Sequence, residues 1–171
     1  MSTDLPADSS RKWLNQAVAL TVVALSVFLG LCNVKDGNIM QAMQQDKADA
    51  VDTWDEYQAA KIKQHIDVRS ADQGPAVQAE IAKYRAEAPT LQAKAHGFEA
   101  DYDALNHRDD QFDAADAMIS IAISLAGVAA LADTPWVLFV GWAFGLFGVV
   151  MGVAGFASLP IHVDVLAKLL S

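Results

Sequence analysis

Four histidines, His65, His96, His107 and His162, and a single cysteine, Cys32, are this chain's best candidates for binding a metal or attacking a substrate. No histidine has another four residues away, the spacing that would put two ring nitrogens on one helical face. Asp101 and Asp103 with His107 form only a loose acidic cluster, which reads as a solvated helical face. One cysteine permits no intramolecular disulfide and no cysteine-based zinc site. No glycine-rich loop follows a strand and no nucleophile elbow occurs. No catalytic, cofactor-binding or metal-binding residue is therefore singled out, and the chain is read as not being an enzyme. A formal net charge of -9 without a basic patch argues against DNA or RNA as a partner, because displacing counterions needs clustered Lys and Arg.

The residues that invite a different chemistry, recognition, are Trp54, Tyr57, Gln58, Lys61 and His65. Trp54, Gln58, Lys61 and His65 recur at helical spacing and share one side of a helix. Aromatic rings beside a flexible cation suit a partner-binding hot spot. They suit equally the layer at which two helices pack together.

The elements that must carry these residues follow from hydrophobic period. Three apolar runs, Leu14 to Cys32, Ala114 to Ala132 and Trp136 to Leu159, each have roughly the 20 residues that a helix needs to cross a bilayer core. Between them, Val77, Ile81, Tyr84, Ala88, Leu91, Ala95, Phe98, Tyr102 and Leu105 recur at alternating intervals of four and three, and Phe112 rejoins the register after Asp109. That spacing is a coiled-coil seam. Upstream, Ile39, Met43, Ala50, Trp54 and Tyr57 make a similar stripe, which Ile62 and Ile66 continue with a shift in phase. Arg69 to Pro75, reading RSADQGP, is the turn signal between the two segments. Pro89 is expected to kink its helix or locally open it, and Gly37 could bend the first junction.

The expected fold is an all-α membrane protein with three transmembrane helices and a long antiparallel helical hairpin, a coiled coil, between the first and second. The divisions are a disordered tail over 1–12, transmembrane helices over 13–33, 114–132 and 136–159, an extramembrane hairpin over 34–113, and a short amphipathic tail over 160–171. Each arm would be on the order of 50 Å long. Cys32, with Leu31 where a lipoprotein acceptor would have a small residue, reads as a buried thiol near the membrane surface. The first run lacks a small-x-small cleavage site and is expected to remain as an anchor.

Gly141 with Gly145, and Gly148 with Gly152, have the small-xxx-small spacing that lets helix backbones approach closely. The two pairs lie on partly different faces, so one could receive a helix of the same chain and the other a neighbouring subunit. Trp13 and Trp136 stand at run edges, where interfacial aromatics are expected, and Trp142 lies deeper. No ionisable residue lies near the middle of any run, which weighs against a proton-coupled transporter.

The segment WDEYQAAKIKQH, Trp54 to His65, resembles a motif of small bacterial membrane proteins grouped as domain of unknown function four-three-three-seven. The matching positions are Trp54, Tyr57, Gln58, Ile62 and Lys63, followed by Gln64 and His65, and the resemblance extends from about Trp13 to Leu159. It implies a fold of one apolar helix, a charged helical stretch and two closely spaced apolar helices, but no activity. It also implies a bacterial inner membrane, with the turn before Trp136 cytoplasmic and the hairpin periplasmic. Members commonly carry basic residues in that turn, whereas this chain has Asp133 and Thr134.

Two functions fit these elements. The first is a non-enzymatic scaffold or accessory subunit that forms a homo-oligomer, or joins another membrane protein, through the glycine-rich helix and the hairpin. The second is an oligomeric channel lined by Asn15, Thr21, Ser120 or Ser124, with an acidic vestibule.

Overall fold

The computed structural model describes residues 6–70 and 74–159, and every element among them is an α-helix. In chain order these are α1 (Pro6–Arg69), α2 (Pro75–Leu131) and α3 (Pro135–Ala157). All three open on proline, whose fixed φ suits the first helical position and whose missing N–H would be unpaired there anyway. α1 begins ahead of Trp13, so residues 6–12 of the expected N-terminal tail are helical. Residues 1–5, the middle of the RSADQGP turn and the tail beyond Leu159, with His162, lie outside the described residues. Pro89 lies within α2, which continues through it.

All three helices are long and apolar enough to cross a membrane. The chain divides into two units, Met1–Ile39 with His107–Ser171, and Met40–Asn106.

In the first unit the core has two clusters. One joins Leu25 of α1 with Ala115, Ile119 and Ala122 of α2 and Met151 of α3. The other joins Leu14 and Val18 with Ala126, Ala129 and Leu138. The alanines of α2 recur at helical spacing and line a shallow groove, so a facing helix can approach only if its own residues are small. α3 supplies them: Gly141, Gly145, Gly148, Gly152 and Gly155 are all buried.

Polar contacts tie the ends of this unit. Arg11 pairs with Asp133 at 3.1 Å, just past α2, where residues 132–134 turn and Asp133 takes a positive φ of 54°. Elsewhere in the unit, Arg108 Nε donates to the carbonyl of Gly155 at 3.2 Å and Gln111 Nε2 to that of Leu159 at 2.8 Å. The Gly155 carbonyl also accepts the backbone N–H of the left-handed Ser158 at 3.4 Å, so Arg108 adds a second donor where α3 ends.

In the second unit, residues of α1 lie against residues of α2. Lys63 stands over the ring of Tyr84 at 5.6 Å, and the ring centres of Trp54 and His96 are 5.1 Å apart. The α2 positions Val77, Ile81, Tyr84, Ala88, Leu91, Ala95, Phe98, Tyr102 and Leu105 are all buried or half-buried. On α1 the covered positions depart from the expected stripe. Ile39, Met43, Asp46, Ala50, Thr53, Tyr57, Ala60, Gln64 and Asp67 are covered at the same alternation of four and three, while Ile62 and Ile66 are 60% and 63% exposed. No phase shift occurs: α1 holds one register by accepting polar residues into it, and Thr53 satisfies its hydroxyl on the carbonyl of Asp49 at 2.6 Å.

Candidate functional site

Trp54 is the centre of the densest polar and aromatic constellation in the second unit. Its indole Nε1 donates to Glu99 Oε1 at 2.8 Å, and His96 Nδ1 donates to the other carboxylate oxygen at 2.8 Å. A carboxylate only accepts, so His96 must carry its proton on Nδ1 in this contact. Tyr57 meets Trp54 edge-on at a ring separation of 5.5 Å. Glu99 is therefore held from two sides although it is exposed, and the hydrogen bonds from Trp54 and His96 lower its pKa below the usual glutamate value. The group is an oriented, ionised carboxylate set among three rings.

Of the five sequence candidates, Trp54 and Tyr57 come together in this layer. Gln58 and His65 are exposed and Lys61 is half-buried. Gln58 and His65 share the outward side of α1 with Val51, Ile62 and Ile66, which are 54%, 60% and 63% exposed. Trp54 and Tyr57 thus lie in the layer between α1 and α2, while Gln58 and His65 face outward. His96 and Glu99 are not legible as partners of Trp54 from composition. The register of the α2 heptads carries the signal, but a phase-shifted α1 stripe misaligns it.

A second polar pair sits in the first unit. Asp36 of α1 and Asp109 of α2 interact electrostatically, and each has a buried carboxyl oxygen, Oδ1, without a hydrogen-bond partner. Burial pushes the Asp109 pKa up to about 6, helped by the Asp36 contact and the charge of Asp110. Burial also raises Asp36, with the nearby charges of Asp113 and Asp116 acting in the same direction. Asp109 stands at the seam position between Leu105 and Phe112 where the heptads expect an apolar residue, a sequence signal read there only as an interruption.

The glycines of α3 face their own chain. A Cβ at Gly148 would lie 2.7 Å from Ile119 Cγ1 and 3.1 Å from the carbonyl oxygen of Ala115. At Gly152 it would meet Phe28 at 2.8 Å and the sulfur of the fully buried Cys32 at 2.9 Å. Gly141 abuts the carbonyl of Ala122 at 3.2 Å, and Gly145 the side chain of Leu25 at 3.1 Å. The expectation that one glycine pair is left for a neighbouring subunit is corrected: the small-xxx-small faces are consumed within the chain, Gly141 and Gly148 by α2 and Gly152 by α1.

Among the residues considered for a pore lining, Thr21 accepts the indole N–H of Trp142 at 2.8 Å, and Ser124 donates to the carbonyl of Ser120 at 2.8 Å. Among the described residues no group of three or more His, Cys, Asp or Glu could hold a metal ion.

No curated protein and no solved structure matches this chain. Residues 14–158, from the first apolar segment to the end of α3, match one family, and the chain belongs to it: the family described as Domain of unknown function (DUF4337).

Proposed function

We propose that this protein is a multi-pass protein of a bacterial inner membrane and works as a non-enzymatic scaffold or accessory subunit. Its middle segment forms an antiparallel helical hairpin with a coiled-coil seam, periplasmic in orientation, that carries the partner-binding surface. Contacts pairing position 63 with 84 and position 54 with 96 and 99 support the antiparallel sense. The Arg11 to Asp133 pair supports a common side for the N-terminal end and the turn before α3, and gives that turn the basic residue it otherwise lacks.

The observation that carries the reading is the outward side of α1 in the second unit. Val51, Ile62 and Ile66 are each at least half exposed on a segment otherwise dense in charge. Large apolar side chains grouped on a water-facing helix mark a surface that another protein covers. With the glycines occupied inside the chain, association through this side is favoured over association through α3. The partner is a second copy of the chain or another membrane protein.

The test is the assembly state in lipid nanodiscs and in mild detergent, by native mass spectrometry. Wild type is expected as a homo-oligomer or with a copurifying protein, and Ile62→Lys with Ile66→Lys is expected to release it, since neither side chain supports the fold. A wild-type monomer without a partner in both media, or an assembly that ignores both lysines, would overturn the reading.

A further inference from the structure

Trp54, Phe98 and Tyr102 line a cleft of about 310 Å³ in the Met40–Asn106 unit, together with Glu99, Asp103 and Lys47. Each ring offers a π face that attracts cations. The chain's own Lys94 already lies over the Phe98 ring at 5.6 Å. Glu99 and Asp103 stand at the cleft wall with Lys47, and Lys94 is the second cation beside it. Glu99 is exposed to water, and its bonds to Trp54 and His96 fix the direction of its carboxylate. Carboxylates accept and do not donate, so an anionic or donor-poor occupant gains nothing here. A planar or tetrahedral organic cation satisfies the carboxylates and the rings together.

The cleft also lies on the helix that carries the proposed partner surface, about three turns before Ile62. Val51 is 54% exposed, lines the cleft, and belongs to the same apolar side as Ile62 and Ile66. A protein covering that side passes the cleft and can place a side chain in it. The acids between Met40 and Asn106 outnumber the lysines and arginines, which favours a basic partner segment.

We propose that this cleft receives the guanidinium or ammonium head of a basic side chain presented by a partner protein. The inference rests on the partner-binding reading and assigns it a specific pocket.

The test uses the full chain in lipid nanodiscs, labelled with 5-fluorotryptophan and followed by ¹⁹F NMR. The Trp54 resonance is identified by its loss in Trp54→Phe. Acetyl-arginine amide is the probe, acetyl-citrulline amide its neutral control and choline a headgroup control. A saturable shift of the Trp54 resonance with the arginine probe is expected, with none from citrulline and affinity falling about tenfold or more in Glu99→Gln, the loss of one charge-assisted contact. Gln keeps the size of the side chain and an acceptor for Trp54, so folding is preserved. No saturable shift, an equal shift with citrulline, unchanged affinity in Glu99→Gln, or binding of choline alone would each overturn the proposal. Ile62→Lys with Ile66→Lys separates the two readings. Release of the assembly by these lysines while the cleft binds no arginine would leave the partner surface standing and remove the cation pocket.

Discussion

The Asp36 and Asp109 pair gives the protein a defined pH response at the scale of single side chains. A carboxyl group whose pKa is higher in the folded than in the unfolded state binds its proton more tightly when folded. Folded stability is then greatest below the ordinary aspartate range, falls as the pH rises, and has lost this contribution once the pH passes about 6, the Asp109 value. Asp110 and Asp113 add negative charge nearby, and Arg108 is turned to the Gly155 carbonyl. Asp109→Asn keeps hydrogen-bonding capacity without the titration, so its melting temperature should depend less on pH between about 4 and 7 than that of wild type. Parallel pH profiles for the two proteins in thermal melts would refute the raised Asp109 pKa.

The close approach of α2 and α3 rests on backbone as much as on side chains. Gly148→Ala would push a methyl against Ile119 and against a carbonyl oxygen and an amide nitrogen of α2, none of which is a flexible chain end. Overpacking of this kind costs about 1–3 kcal/mol. Gly145→Ala meets the end of the Leu25 side chain, which can turn aside, and Gly30→Ala meets nothing within 4 Å. Detergent thermal melts should rank Gly148→Ala as the most destabilised and Gly30→Ala as the least. A reversed order would contradict the packing described. For the arms, cysteines at Lys63 and Tyr84, in a Cys32→Ala background, should join within one chain through a short bismaleimide, because Lys63 lies over the Tyr84 ring. Crosslinks found solely between chains would instead mean that each arm packs on a neighbour.

At the scale of the whole molecule, three crossings demand that the two ends of the first unit face opposite sides. Arg11 and Asp133 pair at one end, and Arg108 reaches the Gly155 carbonyl at the other. Reporters inserted at Gly74 and at Thr134 should therefore have opposite accessibility in intact cells, with Gly74 outside. Equal accessibility would exclude the three-crossing arrangement. The apolar window of α1 is only 6% buried within the chain, against 33% for α2 and 44% for α3. Leu20, Val23, Val27 and Leu31 are each more than half exposed along it. In water such a face would be untenable, whereas lipid tails cover it at no cost.

The period of the chain by itself determined that it is helical, where its three apolar segments lie, and which side of α2 is covered between Val77 and Leu105. Those features are local: a heptad is written into neighbouring residues and survives wherever the helix is placed. Tertiary contact decided the rest. The register of α1 runs through Asp46, Thr53, Gln64 and Asp67 and leaves Ile62 and Ile66 outside, because the helix keeps one face toward α2 rather than following its own most apolar positions. The glycines of α3 advertise close packing without naming a partner, and only the positions of Ile119, Ala122, Leu25 and Cys32 identify that partner as the same chain. Trp54 is conspicuous in the sequence, but its two polar companions come from 42 to 45 residues away, a separation that no local pattern encodes.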